Sequence, residues 1–179
     1  MSATLSLRKD HEVIEKALKA LDTTVSLFKD GNDVPIAILN DTVDFVTNFI
    51  DRCHHSKEED GLFPALNEKG MPREHGPIAV MLMEHEEGRR LASMLKDEIE
   101  KYEKDKSRKS SIIRIIESYI ALLSQHIWKE NNILFNIADS ILREDSDKIS
   151  SKLEGIERDK LDAQKREEYI KLLDRLTKQ

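Results

Sequence analysis

Two stretches of this chain place an imidazole and a carboxylate four residues apart, and the second repeats the first: residues 54–66 read HHSKEEDGLFPAL and residues 126–138 read HIWKENNILFNIA. Aligned without gaps, His54 matches His126, Lys57 matches Lys129, Glu58 matches Glu130, Leu62 matches Leu134 and Phe63 matches Phe135. Residues four apart share one face of an α-helix, so each copy aims its His and Glu in the same direction. The Leu and Phe one turn on continue that face, which predicts that the polar pair points inward. Two further histidines stand upstream at similar intervals. His11 precedes His54 by 43 residues and His85 precedes His126 by 41, the pattern of a duplicated helical hairpin in which each of four helices supplies one inward imidazole.

Unpaired charge buried in an apolar bundle costs on the order of several kcal/mol per group, so four imidazoles and two carboxylates need compensation. A metal cluster supplies it. Two carboxylates from facing helices can bridge two ions while imidazoles take the terminal positions, the pattern of a carboxylate-bridged dinuclear site.

The elements that must position these groups are legible as amphipathic helices. Leu7, Ile14, Leu18, Leu21, Val25 and Phe28 recur at helical spacing and predict a first helix over 5–29, closed by Gly31. A second, over 35–68, carries Ile36, Leu39, Val43, Val46, Phe49 and Ile50, with Pro64 kinking its end and Gly70 closing it. A third spans 77–104 with Pro77 as its first residue, and a fourth runs from a Ser110 or Ser111 cap to 142. Short polar connections make these an all-α, up-down-up-down four-helix bundle over 1–145. Residues 146–179 form a more polar helical extension of the same domain, with Leu153, Ile156, Leu161, Ile170, Leu173 and Leu176 in a stripe that either packs on the bundle or binds a partner protein.

Composition agrees with a helical domain: charged residues make up 36%, aromatics 5%, and there are only six Gly and four Pro. A formal charge of −6 gives nucleic acid no general electrostatic attraction. The N-terminus has no apolar run of signal-peptide length and no stretch approaches the roughly 20 apolar residues of a membrane span, so a cytoplasmic protein is expected. Cys53 is the single cysteine, which rules out an intramolecular disulfide and predicts a free, partly buried thiol.

With its order of His11, then His54-x-x-x-Glu58, then His85, then His126-x-x-x-Glu130, and a Leu-Phe tag after each Glu, the chain resembles the hemerythrin-like family of non-haem di-iron proteins, the HHE cation-binding domain, over about residues 5–142. The resemblance implies an oxo- or hydroxo-bridged pair of iron ions, with His11, His54, His85 and His126 as terminal ligands and Glu58 and Glu130 as bridges. It implies O2, peroxide or nitric oxide as the small-molecule partner and admits a catalase-like or peroxidase-like activity. Oxygen-carrying members place two histidines one turn apart on the third helix, whereas the neighbours of His85 at that spacing are Met81 and Arg89. One iron is therefore expected to keep an open position, where reaction is favoured over reversible carriage. A module that senses O2, nitric oxide or iron, and a structural bundle holding zinc, are the competing readings.

The remaining residues divide between chemistry and support. Tyr119, two turns before His126 on the same face, is either an ordinary core ring or a phenolate ligand or proton donor at the centre. His55 and Glu59 share the four-residue spacing but stand about 100° away from His54 and Glu58, and their counterparts are Ile127 and Asn131, which places them at the surface or behind the ligands. His75 belongs to an exposed loop. Glu12, Glu84 and Glu86 flank the histidines and read as a solvated face, with Glu84 the exception most able to reach the site, and Arg89 is expected to pair with a carboxylate near it. Met81, Met83 and Met94 are expected in packing.

Overall fold

The computed structural model describes residues 2–176, and among them every regular element is helical. Helix α1 spans Leu5–Lys29, α2 spans 36–68, α3 spans Gly76–Lys104 and α4 spans 109–141, followed by α5 at Ser146–Lys160 and α6 at Ala163–Leu176. The predicted bundle with C-terminal helices is therefore present, with boundaries close to those read from the sequence. Gly31 and Gly70 end α1 and α2 at φ 85° and 97°, where a side chain would be strained. Asn32 N donates to Leu27 O and Met71 N to Leu66 O, closing orphan carbonyls at both helix ends.

Two local expectations fail. Neither Ser110 nor Ser111 caps α4; a short 3₁₀ turn at Lys106–Arg108, capped by Asp105 on Ser107 N, leads into it and leaves both serines inside the helix. More consequential, α2 is not one α-helix. It is α-helical at Ile36–Phe45, π-helical at Val46–His55 and Lys57–Leu62, and α-helical again at Phe63–Glu68, with Pro64 in the first turn of that last stretch. Helix α4 has one such stretch, at Glu130–Leu134. π-turns within α-helices concentrate where function demands an altered register.

The bundle closes with α4 against α1 and α3, and α2 against α3 and α1. Helix α5 packs across α2 and α1, and α6 lies along α1. Leu153, Leu161 and Leu173 are buried there, and Tyr169 packs edge-on against Phe45 and Phe49, so the apolar stripe of the extension is spent on the bundle rather than left for a partner. The interior has two apolar regions, one around Ile14, Phe49, Leu91 and Ile116 and another around Leu7, Phe63, Met81 and Phe135, with the histidines falling between them along every helix. Met83 and Met94, expected in packing, are 65% and 40% exposed. Among the described residues no helix is long and apolar enough to cross a membrane.

Candidate metal centre

His11 on α1, His54 on α2, His85 on α3 and His126 on α4 are each no more than 2% exposed, and Glu58 and Glu130 are fully buried. Their ligand atoms converge. His11, His54, Glu58 and Glu130 offer atoms within 4.8 Å of one another, and so do Glu58, His85, His126 and Glu130. The two carboxylates belong to both groups and so can link two positions. The six residues singled out by spacing are thus brought to one place.

A seventh joins them. His55, expected at the surface or behind the ligands, is 3% exposed, stacks on His85 with ring centroids 3.8 Å apart, and groups with His85 and His126. The inward face of these helices is wide enough for two consecutive residues, since Ile127 is buried at the matching position of an α-helical stretch. The π-turn, which advances each residue by less than 100°, brings 54 and 55 closer together still. His54 then joins His11 on one side and His55 joins His85 and His126 on the other. The sequence held a signal for this: the counterpart of His55 is Ile127, an apolar residue that is itself buried.

Each of the four outer imidazoles has its Nδ1 fixed by an oxygen. His11 Nδ1 lies 2.9 Å from Asn131 Oδ1, His54 Nδ1 3.2 Å from Asp10 Oδ2, His85 Nδ1 2.7 Å from Glu59 Oε1, and His126 Nδ1 2.9 Å from Glu84 Oε2. These contacts place the proton on Nδ1 and leave Nε2 free to ligate. His55 Nδ1 stands 3.4 Å from Asp51 Oδ1, a looser contact. The support is duplicated as well. Asp10 and Glu84, each the residue before the first histidine of its hairpin, hold the histidine of the next helix, and Lys57 and Lys129 in turn pair with them. Glu59 and Asn131, also equivalent, reach back to His85 and His11. Phe63 stacks on His85 and Phe135 on His11, which gives the repeated Leu-Phe tag its purpose. Glu84 and Glu59 therefore sit behind imidazoles of the cluster, Arg89 pairs with Asp51, Glu59 and Glu86, and His75 is exposed. Asp10 and Asn131 were not foreseen.

The inward atoms are left without directed partners. His11 Nε2 and His54 Nε2 face each other at 3.2 Å, an arrangement that two lone pairs would not hold without a cation or proton between them. His55 Nε2, His85 Nε2, His126 Nε2 and all four oxygens of Glu58 and Glu130 are buried without a hydrogen bond among the described residues. Such groups cost free energy unless a missing partner satisfies them. Close approaches remain, His11 Nε2 to Glu130 Oε2 at 3.1 Å and His85 Nε2 to Glu58 Oε2 at 3.3 Å. In the metal-free protein, burial opposes charge on His85, yet Glu58 and Glu59 prevail and push it up to about 9. Burial likewise raises Glu130, but His126 and His11 bring it down to about 2. For His55 burial dominates, reinforced by the neighbouring imidazoles, and holds it well below the usual histidine range. Burial lifts the Cys53 thiol to about 11, which makes it inert.

Converging imidazoles, two shared carboxylates and fixed Nδ1 protons fit a pair of metal ions. Tyr119 stands apart in the fold, two turns before His126 on α4. It is buried against Gly88 and, with His55, Arg89 and Val46, lines a cavity of about 270 Å³ between α2 and α3.

Comparison with known proteins gives one finding. No curated protein and no solved structure matches the chain, but the model of the hemerythrin HHE cation binding domain matches residues 3–138. The match covers all four bundle helices and every converging residue, and the chain belongs to the hemerythrin HHE cation-binding domain family.

Proposed function

We propose that this protein holds two iron ions and uses them to bind or react with a small oxidant: O2, peroxide or nitric oxide. The observation that carries the reading is the donor inventory. Five Nε2 atoms and four carboxylate oxygens converge on two positions, one near His11 and His54 and the other near His55, His85 and His126. Structural zinc closes at four donors per ion, whereas five imidazoles with two shared carboxylates supply four on one side and five on the other. That set favours the higher coordination numbers of iron. Iron in such a setting supplies redox chemistry toward oxygen species.

The chain's own residues divide the remaining work. Asp10, Asn131, Glu59 and Glu84 hold the imidazoles in orientation and tautomer. Three imidazoles serve one ion and two the other, so the ion beside His11 and His54 has one protein donor fewer. His55 accounts for the histidine that α3 lacks at Met81 and Arg89, and the deficit is one imidazole, confined to one side. Tyr119 feels only burial and the charge of Asp51, both of which push its hydroxyl well above the usual phenol range. It therefore acts as a neutral hydrogen-bond donor toward a molecule in the adjoining cavity, and not as a phenolate ligand. Peroxide breakdown is the reaction best served by a ligand-deficient ion and a neutral donor.

The test is metal analysis of protein from iron-fed cells read beside its visible spectrum. Two irons per chain with absorption typical of bridged ferric pairs, and oxygen released from added peroxide, are expected. Colourless protein with bound zinc overturns the reading.

A further inference from the structure

The two halves of the centre are built alike but finished differently. In one, Asp10 holds His54 and Lys57 Nζ lies 2.5 Å from Asp10 Oδ2; in the other, Glu84 holds His126 and Lys129 donates to Glu84. Lys129 and Glu84 keep 30% and 18% of their side-chain surface, while Lys57 and Asp10 keep none. The C-terminal helices cover the second pair. Arg166 of α6 donates from its terminal nitrogen to Asp10 Oδ1 at 2.6 Å, and Glu157 of α5 accepts from Lys57 Nζ at 2.7 Å. Arg166 and Glu157 also approach each other, at 3.4 Å. Two cations and two anions thus close a balanced, mostly buried network immediately behind one metal ligand.

Gly61 makes this closure fit. A Cβ there would stand 2.4 Å from Leu153 Cδ2 of α5, so glycine lets α5 seat against α2 without displacing Leu153, at the depth that brings Glu157 to Lys57. The equivalent residue in the other copy is Ile133, which is 45% exposed and carries no covering helix. Arg166 and Glu157 both lie beyond the residues matched to the family, 3–138.

We propose that Arg166 is a positioning residue for the His11 and His54 side of the centre, and that the C-terminal extension thereby sets how firmly one of the two ions is held. The proposal rests on the dinuclear reading above. Asp10 uses Oδ2 for His54 and Lys57 and Oδ1 for Arg166, so the guanidinium fixes the plane of the carboxylate that orients the imidazole. Without it, Asp10 is a fully buried anion with an empty Oδ1 and a rotatable plane. His54 then rests on a carboxylate held at one oxygen alone, whereas the Glu84 support of His126 is untouched.

Removing such outer support costs metal affinity by about 10–100-fold. Full-length protein is titrated with ferrous iron against a competing chelator without oxygen, as wild type, Arg166→Gln and Arg166→Lys, with Lys129→Gln as the exposed counterpart. Wild type should take two ions; Arg166→Gln should hold one as wild type does and the other about 10–100-fold more weakly, with Arg166→Lys recovering part of the loss. Lys129→Gln should change affinity by less than Arg166→Gln. Melting of the metal-free variants separates support from packing over Phe49, whose ring lies 4.9 Å from the guanidinium. A lowered melting temperature with both ions held at wild-type affinity overturns the proposal, as does equal weakening of both ions. If Arg166→Gln does not accumulate folded, Arg166→Lys decides alone: loss confined to one ion supports the proposal and unchanged affinity refutes it. Wild type that binds no second ion overturns the dinuclear reading itself.

Discussion

The two quoted motifs, one on α2 and one on α4, start from nearly the same residues and end in different surroundings. Both aim a histidine and a glutamate inward, both follow with a Phe that stacks on the histidine of another helix, and both end in the same Lys-carboxylate-imidazole chain. Five of the thirteen aligned positions are identical, and two of the eight that differ bear on how the halves of the centre diverge. Where α2 has His55, α4 has Ile127; where α2 has Gly61, α4 has exposed Ile133; and behind α2 the network is sealed by Arg166 and Glu157. These changes give one side of the cluster an extra imidazole and the other a covered flank. A symmetric duplication thereby yields a centre with a richer and a poorer side.

The largest expected effect comes from breaking what the halves share. Glu58→Ala or Glu130→Ala should abolish binding of both ions, because each carboxylate serves both positions, while His54→Ala or His126→Ala should weaken mainly one ion and lower thermal stability. Iron content by elemental analysis, with melting temperature, checks this. A Glu130→Ala protein that still holds two irons would mean that the carboxylates do not bridge.

Next is the position where the halves diverge. His55→Ile makes α2 resemble α4 and should weaken one ion by more than about 100-fold, since losing a ligand exceeds the loss of its support. The same chelator titration reads it. Retention of both ions with wild-type affinity would return His55 to a purely packing role.

Charge gives a third distinction, between metal-free and metal-loaded protein. In the former, His85 is raised from 6.5 to about 9, so its contribution to stability is complete below pH 6.5 and disappears as pH rises through 9. Glu130 is depressed from 4.5 to about 2, so its contribution is present above pH 4.5 and is lost as pH falls through 2. These two groups together favour the metal-free protein most between about pH 4.5 and 6.5. His55, kept neutral by burial, takes stability away as pH falls below 6.5, so the melting temperature should decline on both sides of about pH 6.5. Loaded protein should reverse the upper slope, because ligation needs neutral imidazoles and tightens as protons leave. Parallel slopes in the two forms from pH 6.5 to 9 would show that His85 is not a ligand.

A smaller effect is expected at the helix crossing. Gly61→Ile should destabilise the protein by about 1–3 kcal/mol through collision with Leu153, whereas Ile133→Gly on the open copy should cost less than about 1 kcal/mol from helix propensity alone. Denaturant unfolding compares them. Smallest for the centre itself, Tyr119→Phe should leave iron content unchanged and slow only the reaction with peroxide.

Much of this was legible in the sequence, for physical reasons that can be traced. Apolar spacing of 3.6 located α1 to α4 because each helix buries one face, and Gly31 and Gly70 marked ends because only glycine adopts their backbone freely. The six spaced ligand candidates share a face in either helix type and so survived the error in register. His55 did not, because a 100° offset from His54 places position 55 beside the His-Glu stripe, whereas the buried face of these helices is wider than that stripe. The buried Ile127 at the matching position was the available clue. Arg166 and Asp10 were invisible for another reason: they lie 156 residues apart, and neither carries a local pattern that points to the other.

Anomalous diffraction at the iron edge, from crystals of the iron-loaded protein, tests the central claim most directly. Two separate iron peaks are predicted, one bonded to His11 and His54 and the other to His55, His85 and His126, with Glu58 and Glu130 between them. A single peak, or two peaks with His55 turned away from both, would contradict it.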